Sequence, residues 1–196
     1  MLVVHDRTAD HIGPETVKRS ANLARQMLAS ELPGRWQHVA ATARQAARLA
    51  AAAGFGPLAQ TSAWLHDIGY AADLVQTGFH PIDGARFLRR EGWEEDVVCL
   101  VAYHSCAVVE ADARGLGEVL RSEFRDEPSD ARDVLWAADA TTGPTGELFT
   151  VEQRVAEVLA RYGADHQVSR CMLIIQPELQ AAVDRVSARW ATSQPR

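Results

Sequence analysis

Lysine, cysteine, strand signals and long apolar runs are all scarce in this sequence. Lys18 is the only lysine among 20 basic residues. In so alanine-rich a chain, arginine in every other basic position reads as a compositional bias rather than a functional choice. The formal net charge of -6 argues against non-specific binding to nucleic acid. The three cysteines, Cys99, Cys106 and Cys171, are odd in number and form no CxxC pair. That predicts reduced thiols in a cytoplasmic protein and no zinc knuckle. No apolar run approaches the roughly 18 residues of a membrane span. The opening "MLVVHDRTAD" reaches charge too early for a signal peptide. There is no internal repeat, low-complexity tract, P-loop or nucleophile elbow. Nothing near Cys106 resembles a thiolate pair, so a catalytic cysteine is not expected.

What is present is helix. With 196 residues, 47% of them hydrophobic and 23% charged, the chain is expected to form one globular all-α domain with a substantial core and no dividing linker. Helices are predicted over about Pro14 to Leu32, Trp36 to Ala53, Pro57 to Asp67, His80 to Arg90 and Glu94 to His104. Ser129 and Thr150 are predicted to cap helices running to Asp139 and Tyr162. Two further helices are expected around Ser169 to Ile175 and Pro177 to Trp190, separated at Pro177. Residues 105–128 read as a polar loop with one short helix around 117–124, a candidate lid. "CMLIIQP" is the one short β-branched run.

Against this background, "TSAWLHDIGY" (61–70) is unusual. An apolar helix runs into His66 and Asp67, and burying an imidazole beside a carboxylate is costly without a partner. That partner is a structural group, a proton-relay group or a metal ion. Gly69 reads as the helix end that lets the chain turn toward His80. Val97, Leu100, Val101 and His104 share a helical face, so His104 continues a buried stripe. Asp139 follows Leu135 and Trp136 on an inward face, where an unpaired carboxylate is rare. His38 lies on a stripe with Thr42, Gln45 and Leu49, which is only partly apolar and leaves its direction open. His5, His11 and His166 read as exposed titrating side chains. Imidazole and carboxylate without thiolate suit Mn, Fe, Co, Ni or Zn, and Mg if carboxylates and phosphate oxygens dominate.

The order His38, His66-Asp67, His80, His104, Asp139 resembles the HD-domain superfamily of metal-dependent phosphohydrolases over about Arg35 to Gly146. "LHDIG" is similar to that family's central motif and "AADATTG" to its closing segment. "HDIGYAADLVQTGFHPIDGA" looks like the RNase Y type, where a second His also falls 14 residues after the first. The RNA-binding segments of that type are absent, so its substrate does not transfer. The resemblance implies an HD-type helical bundle in which His38, His66, Asp67 and Asp139 hold a first metal. It also implies that Asp67 bridges to a second metal on His80 and His104, with His66 and Asp67 central to catalysis.

The implied activity is hydrolysis of a phosphomonoester or phosphodiester by a metal-activated water, on a nucleotide or related small phosphorylated molecule. Two alternatives are a di-iron oxygenase acting on a phosphonate or polyol, and a non-catalytic ligand-binding protein. Many relatives carry Lys where Tyr70 stands, so a lysine contact to phosphate does not carry over. Arg35, Tyr70, Thr142 and Arg86 are the candidate substrate-binding residues. Thr141 and Thr142 read as hydrogen-bond donors beside Asp139 or as helix-end caps, and Arg154, like Arg86, as a cationic candidate that is more often a surface residue.

Overall fold

A computed structural model describes residues 12–193; His5 and His11 lie outside them. Among the described residues the chain is helical, with one isolated bridge between Thr142 and Leu148 and no strand. The all-α expectation holds.

Helix α1 (Pro14–Leu28) begins on its proline and stops short of Leu32. Pro33 opens α2 (Pro33–Ala53) and disfavours helical geometry at Leu32, the residue before it. Gly54, at φ 75°, closes α2. Helix α3 (Leu58–Leu65) gives way to a 3-10 turn over Ile68–Tyr70 and a second over Ala72–Leu74. Helix α4 (His80–Arg90) matches its predicted span. Helix α5 (Glu95–Ala102) ends before His104, which sits in a 3-10 turn, His104–Cys106.

Within 105–128, α7 (Gly117–Glu123) matches the short helix expected there, while α6 (Ala107–Ala113) replaces part of the expected loop. Ser129 caps α8 (Asp130–Ala140) by accepting the Arg132 amide. Thr150 and Gln153 form a reciprocal capping box on α9 (Val151–Tyr162).

The two expected C-terminal helices are one, α10 (Gln167–Ser193), running through Pro177. Proline inside a helix costs about 3 kcal/mol. Cys171, Ile175, Leu179, Ala182 and Val186 form an uninterrupted buried stripe across it, and that packing offsets the cost. The β-branched run was ambiguous because only part of it faces inward; Leu173 and Ile174 are exposed.

Two apolar clusters organise the packing. One gathers Leu28, Leu65, Ile68, Phe79, Ile82, Leu88 and Val97 from α1, α3, α4 and α5. The other gathers Val134, Leu135, Val155, Ile175 and Leu179 from α8, α9 and α10 with the alanines of α2. Leu58 and Trp64 pack against both clusters, and Trp64 stacks on Trp36 with ring centroids 5.6 Å apart.

Candidate metal centre

Local devices bring three helices, α2, α4 and α8, and two turns to one point. Gly69 does not end a helix, since α3 is already finished at Leu65. Its role is close approach: a Cβ there would lie 2.1 Å from the His80 carbonyl oxygen and 2.6 Å from the Gly84 nitrogen. Glycine therefore lets the turn after Asp67 rest on the start of α4, beside His80. The loop leading into α4 is tied down by buried Asp83, whose carboxylate accepts the amides of Gln76, Thr77 and Gly78 and the Thr77 hydroxyl. After α5 the chain bends through two successive left-handed residues, Ser105 (φ 47°) and Cys106 (φ 56°). Left-handed geometry costs roughly 1–2 kcal/mol per non-glycine residue. The bend follows the end of α5 at Ala102, and the Ser105 hydroxyl there donates to Asp139 Oδ2. Trp136 Nε1 donates to the Tyr103 carbonyl at 3.0 Å, fixing α8 against the same bend.

The result is two overlapping triads of metal-ligand type among the described residues: His38, His66 and Asp67, and Asp67, His80 and His104. The two oxygens of Asp67 face opposite ways. Oδ2 lies 3.3 Å from His66 Nε2 and 3.9 Å from His38 Nε2. Oδ1 lies 3.2 Å from His80 Nε2 and 3.8 Å from His104 Nε2. Asp139 Oδ1 adds to the first group, 2.9 Å from His38 Nε2 and 3.6 Å from His66 Nε2. His38, whose direction the sequence left open, is buried.

Three ring orientations are set by the backbone. His38 Nδ1 is 3.1 Å from the Gly143 carbonyl, His66 Nδ1 2.8 Å from Ala63 and His104 Nδ1 2.7 Å from Val101. A carbonyl only accepts, so each Nδ1 carries the proton, and each ring, once neutral, presents its Nε2 lone pair inward. Those lone pairs meet carboxylate oxygens and each other. His80 Nε2 and His104 Nε2 are 3.1 Å apart, and buried His66 Nε2 makes no hydrogen bond. Acceptors aimed at acceptors need a cation between them, and an imidazole–carboxylate donor set fits a divalent transition metal.

With no metal present, the same carboxylates draw a proton to the place where a cation would sit. Burial opposes charge on His66, but Asp67 and Asp139 outweigh it and raise the ring to about 9. Burial, with the His80 and His66 rings beside it, pushes His104 down to about 3. Burial also resists ionisation of Asp67, yet Arg35 and His66 hold its carboxyl well below the usual range. In Asp139 the same resistance is overcome by His66 and His38.

A cavity of about 110 Å³ opens onto this cluster. Arg35 and Tyr70 line it. Arg35 Nη1 donates to Asp67 Oδ2 at 2.7 Å, and its guanidinium covers the Tyr70 ring at 4.2 Å. Tyr70 in turn stacks on His80 at 4.0 Å. The other two substrate candidates lie elsewhere. Arg86 forms an ion pair with Glu123 on the outer side of α4. Thr142 is buried and donates back to the Ala138 carbonyl at 2.7 Å, as Thr141 does to Ala137 at 2.6 Å. Both threonines satisfy the end of α8.

Arg154, read from the sequence as a cationic candidate that is more often a surface residue, lines the cavity, along with Arg161, Tyr162, Met172 and Ile175 of α9 and α10. Sequence reasoning missed this wall. Its apolar members follow ordinary core periodicity, and α9 balances two arginines with two glutamates, so its charge pattern carried no signal. Cys106 also reaches the cavity, but burial pushes its thiol up to about 12, which keeps it protonated.

The family model described as HD domain matches residues 35–159. No curated protein and no solved structure matches the chain.

Proposed function

Since the chain belongs to the HD-domain family, we propose that it is a metal-dependent phosphohydrolase. Its substrate would be a phosphomonoester or phosphodiester of a nucleotide or related small phosphorylated molecule. The observation that carries this reading is the single carboxylate, Asp67, shared by two inward-facing ligand triads beside an arginine-lined cavity. His38, His66, Asp67 and Asp139 would hold one divalent ion, and Asp67, His80 and His104 a second. When bound, such ions supply a water of lowered pKa and positive charge to stabilise the phosphoryl transition state.

The chain's own groups do the rest. The Nδ1-to-carbonyl bonds keep three imidazoles in the ligating tautomer. Ser105 orients Asp139. Arg35 spends one N–H on Asp67, and its fork has further donors for a phosphoryl oxygen. Tyr70 backs both His80 and Arg35, where many relatives place an ammonium. The finer likeness to the RNase Y type rests on the His66-to-His80 spacing. No helix among the described residues is long and apolar enough to cross a membrane, and the proposed setting is the cytoplasm.

The test is hydrolysis of 4-nitrophenyl phosphate and bis(4-nitrophenyl) phosphate with Mn, Ni, Co, Zn and Fe, in air and without oxygen. Hydrolysis that is metal-dependent and indifferent to oxygen supports the proposal. Iron-only activity that consumes oxygen would replace it with the oxygenase reading. Metal or ligand binding without any turnover would favour a binding protein.

A further inference from the structure

Beside the metal-facing cavity lies a second one of about 260 Å³, lined by Gly34, Arg35, His38, Pro144, Thr145, Arg154 and Arg161. Arg35, His38, Arg154 and Arg161 line both cavities, so the two spaces meet at the cluster's edge. Every charged side chain lining the second cavity is an arginine.

The arginines of α9 are under-neutralised. Arg154 and Arg161 sit seven residues apart, two turns along one face, and both donate to the same oxygen, Glu157 Oε2. One carboxylate set against two guanidiniums leaves a surplus positive charge. The Arg154 side chain is only 12% exposed, so water screens that charge incompletely. Gly34, in the first turn of the 21-residue α2, adds the positive end of a helix dipole. The nearest other carboxylate in the loop, Glu147, is occupied by the Thr145 amide and hydroxyl.

We propose that this cavity is a second anion subsite, in which Arg154 and Arg161 hold a further phosphoryl group of the substrate. The substrate would then be a bis- or polyphosphorylated small molecule. One phosphoryl group would lie at the His/Asp cluster and another some distance away, with the carbon skeleton against Met172 and Ile175. Forked guanidiniums in excess over carboxylates match a dianionic phosphate better than a single carboxylate. Only the identity of the group at the cluster rests on the phosphohydrolase reading.

Isothermal titration of the full-length chain with inorganic tripolyphosphate tests the proposal. Arg161→Gln and Arg154→Gln should each weaken binding about tenfold, as expected for loss of a charge-assisted contact. Glu157→Gln should tighten it several-fold, because the competing carboxylate is gone. A misfolded variant cannot produce that gain. Unchanged affinity in the arginine variants, or no tightening with Glu157→Gln, overturns the subsite. If the binding pattern holds but nitrophenyl phosphates are not hydrolysed, the subsite stands and the phosphohydrolase reading falls. If they are hydrolysed but the binding pattern fails, the subsite alone falls.

Discussion

The two ends of the Asp67 carboxylate are built differently. On the Oδ2 side, His38 and His66 are buried, both are pinned through Nδ1 to backbone carbonyls, and Asp139 closes the group with Ser105 behind it. On the Oδ1 side, His104 is pinned in the same way, but His80 stands at the first residue of α4. Its side chain is 16% exposed and stacks on Tyr70. One end is preorganised by the core. The other depends on a loop, a glycine contact and a surface aromatic. The account therefore expects a tight metal position at the first end and a weaker, exchangeable one at the second.

The largest way to break the comparison is to remove what the two ends share. Asp67→Asn should abolish both positions, so that hydrolysis falls by more than the roughly 100-fold lost when a ligand's hydrogen-bond partner is removed. Steady-state assays with added Mn check this. Next, Gly69→Ala should drive the first 3-10 turn off α4. Its methyl group meets backbone rather than a flexible side chain, which predicts a loss of about 3 kcal/mol. The melting temperature should drop by roughly 6–12 °C, and the His80 end should fail first. Ser105→Ala acts on the other end alone. It should cost about 10–100-fold in affinity for the tighter ion and leave the weaker one unchanged, as read by competition with a chelating dye.

The smallest effect lies away from both ends. Arg86 holds the Glu123 carboxyl below its usual range through a hydrogen bond. A carboxylate whose folded pKa is lowered stabilises the fold above its unfolded pKa of about 4.3, and that contribution is lost as pH falls through the folded value. Glu123→Gln should therefore cost less than about 1 kcal/mol at pH 7 and less still at pH 3, with metal content unchanged. Paired urea melts at the two pH values measure it.

How legible each part was follows from its chemistry. His66, Asp67, His104 and Asp139 stood out because a polar group on an apolar face must be paired, and pairing is visible in the pattern. His38 was ambiguous because its stripe mixes Thr42 and Gln45 with Leu49, although Thr42 and His38 are both buried. The cavity wall from α9 and α10 was not legible. Met172 and Ile175 look like core residues in any amphipathic helix, and Arg154 looks like a surface arginine until α2 is placed against it. The left-handed bend at Ser105 and Cys106 uses neither glycine nor asparagine and so left no sequence signal. Pro177 gave the opposite error: local propensity predicted a break, and tertiary packing overrode it.

Elemental analysis of wild-type and His80→Ala protein, each dialysed to equilibrium against excess Mn and corrected for the free ion, is the most direct test. The account predicts about two ions per wild-type chain, as in other two-metal sites. It predicts the loss of one with His80→Ala and the retention of the ion held by His38, His66, Asp67 and Asp139. A wild-type chain without bound metal, or a His80→Ala chain whose metal content is unchanged or wholly lost, would contradict it.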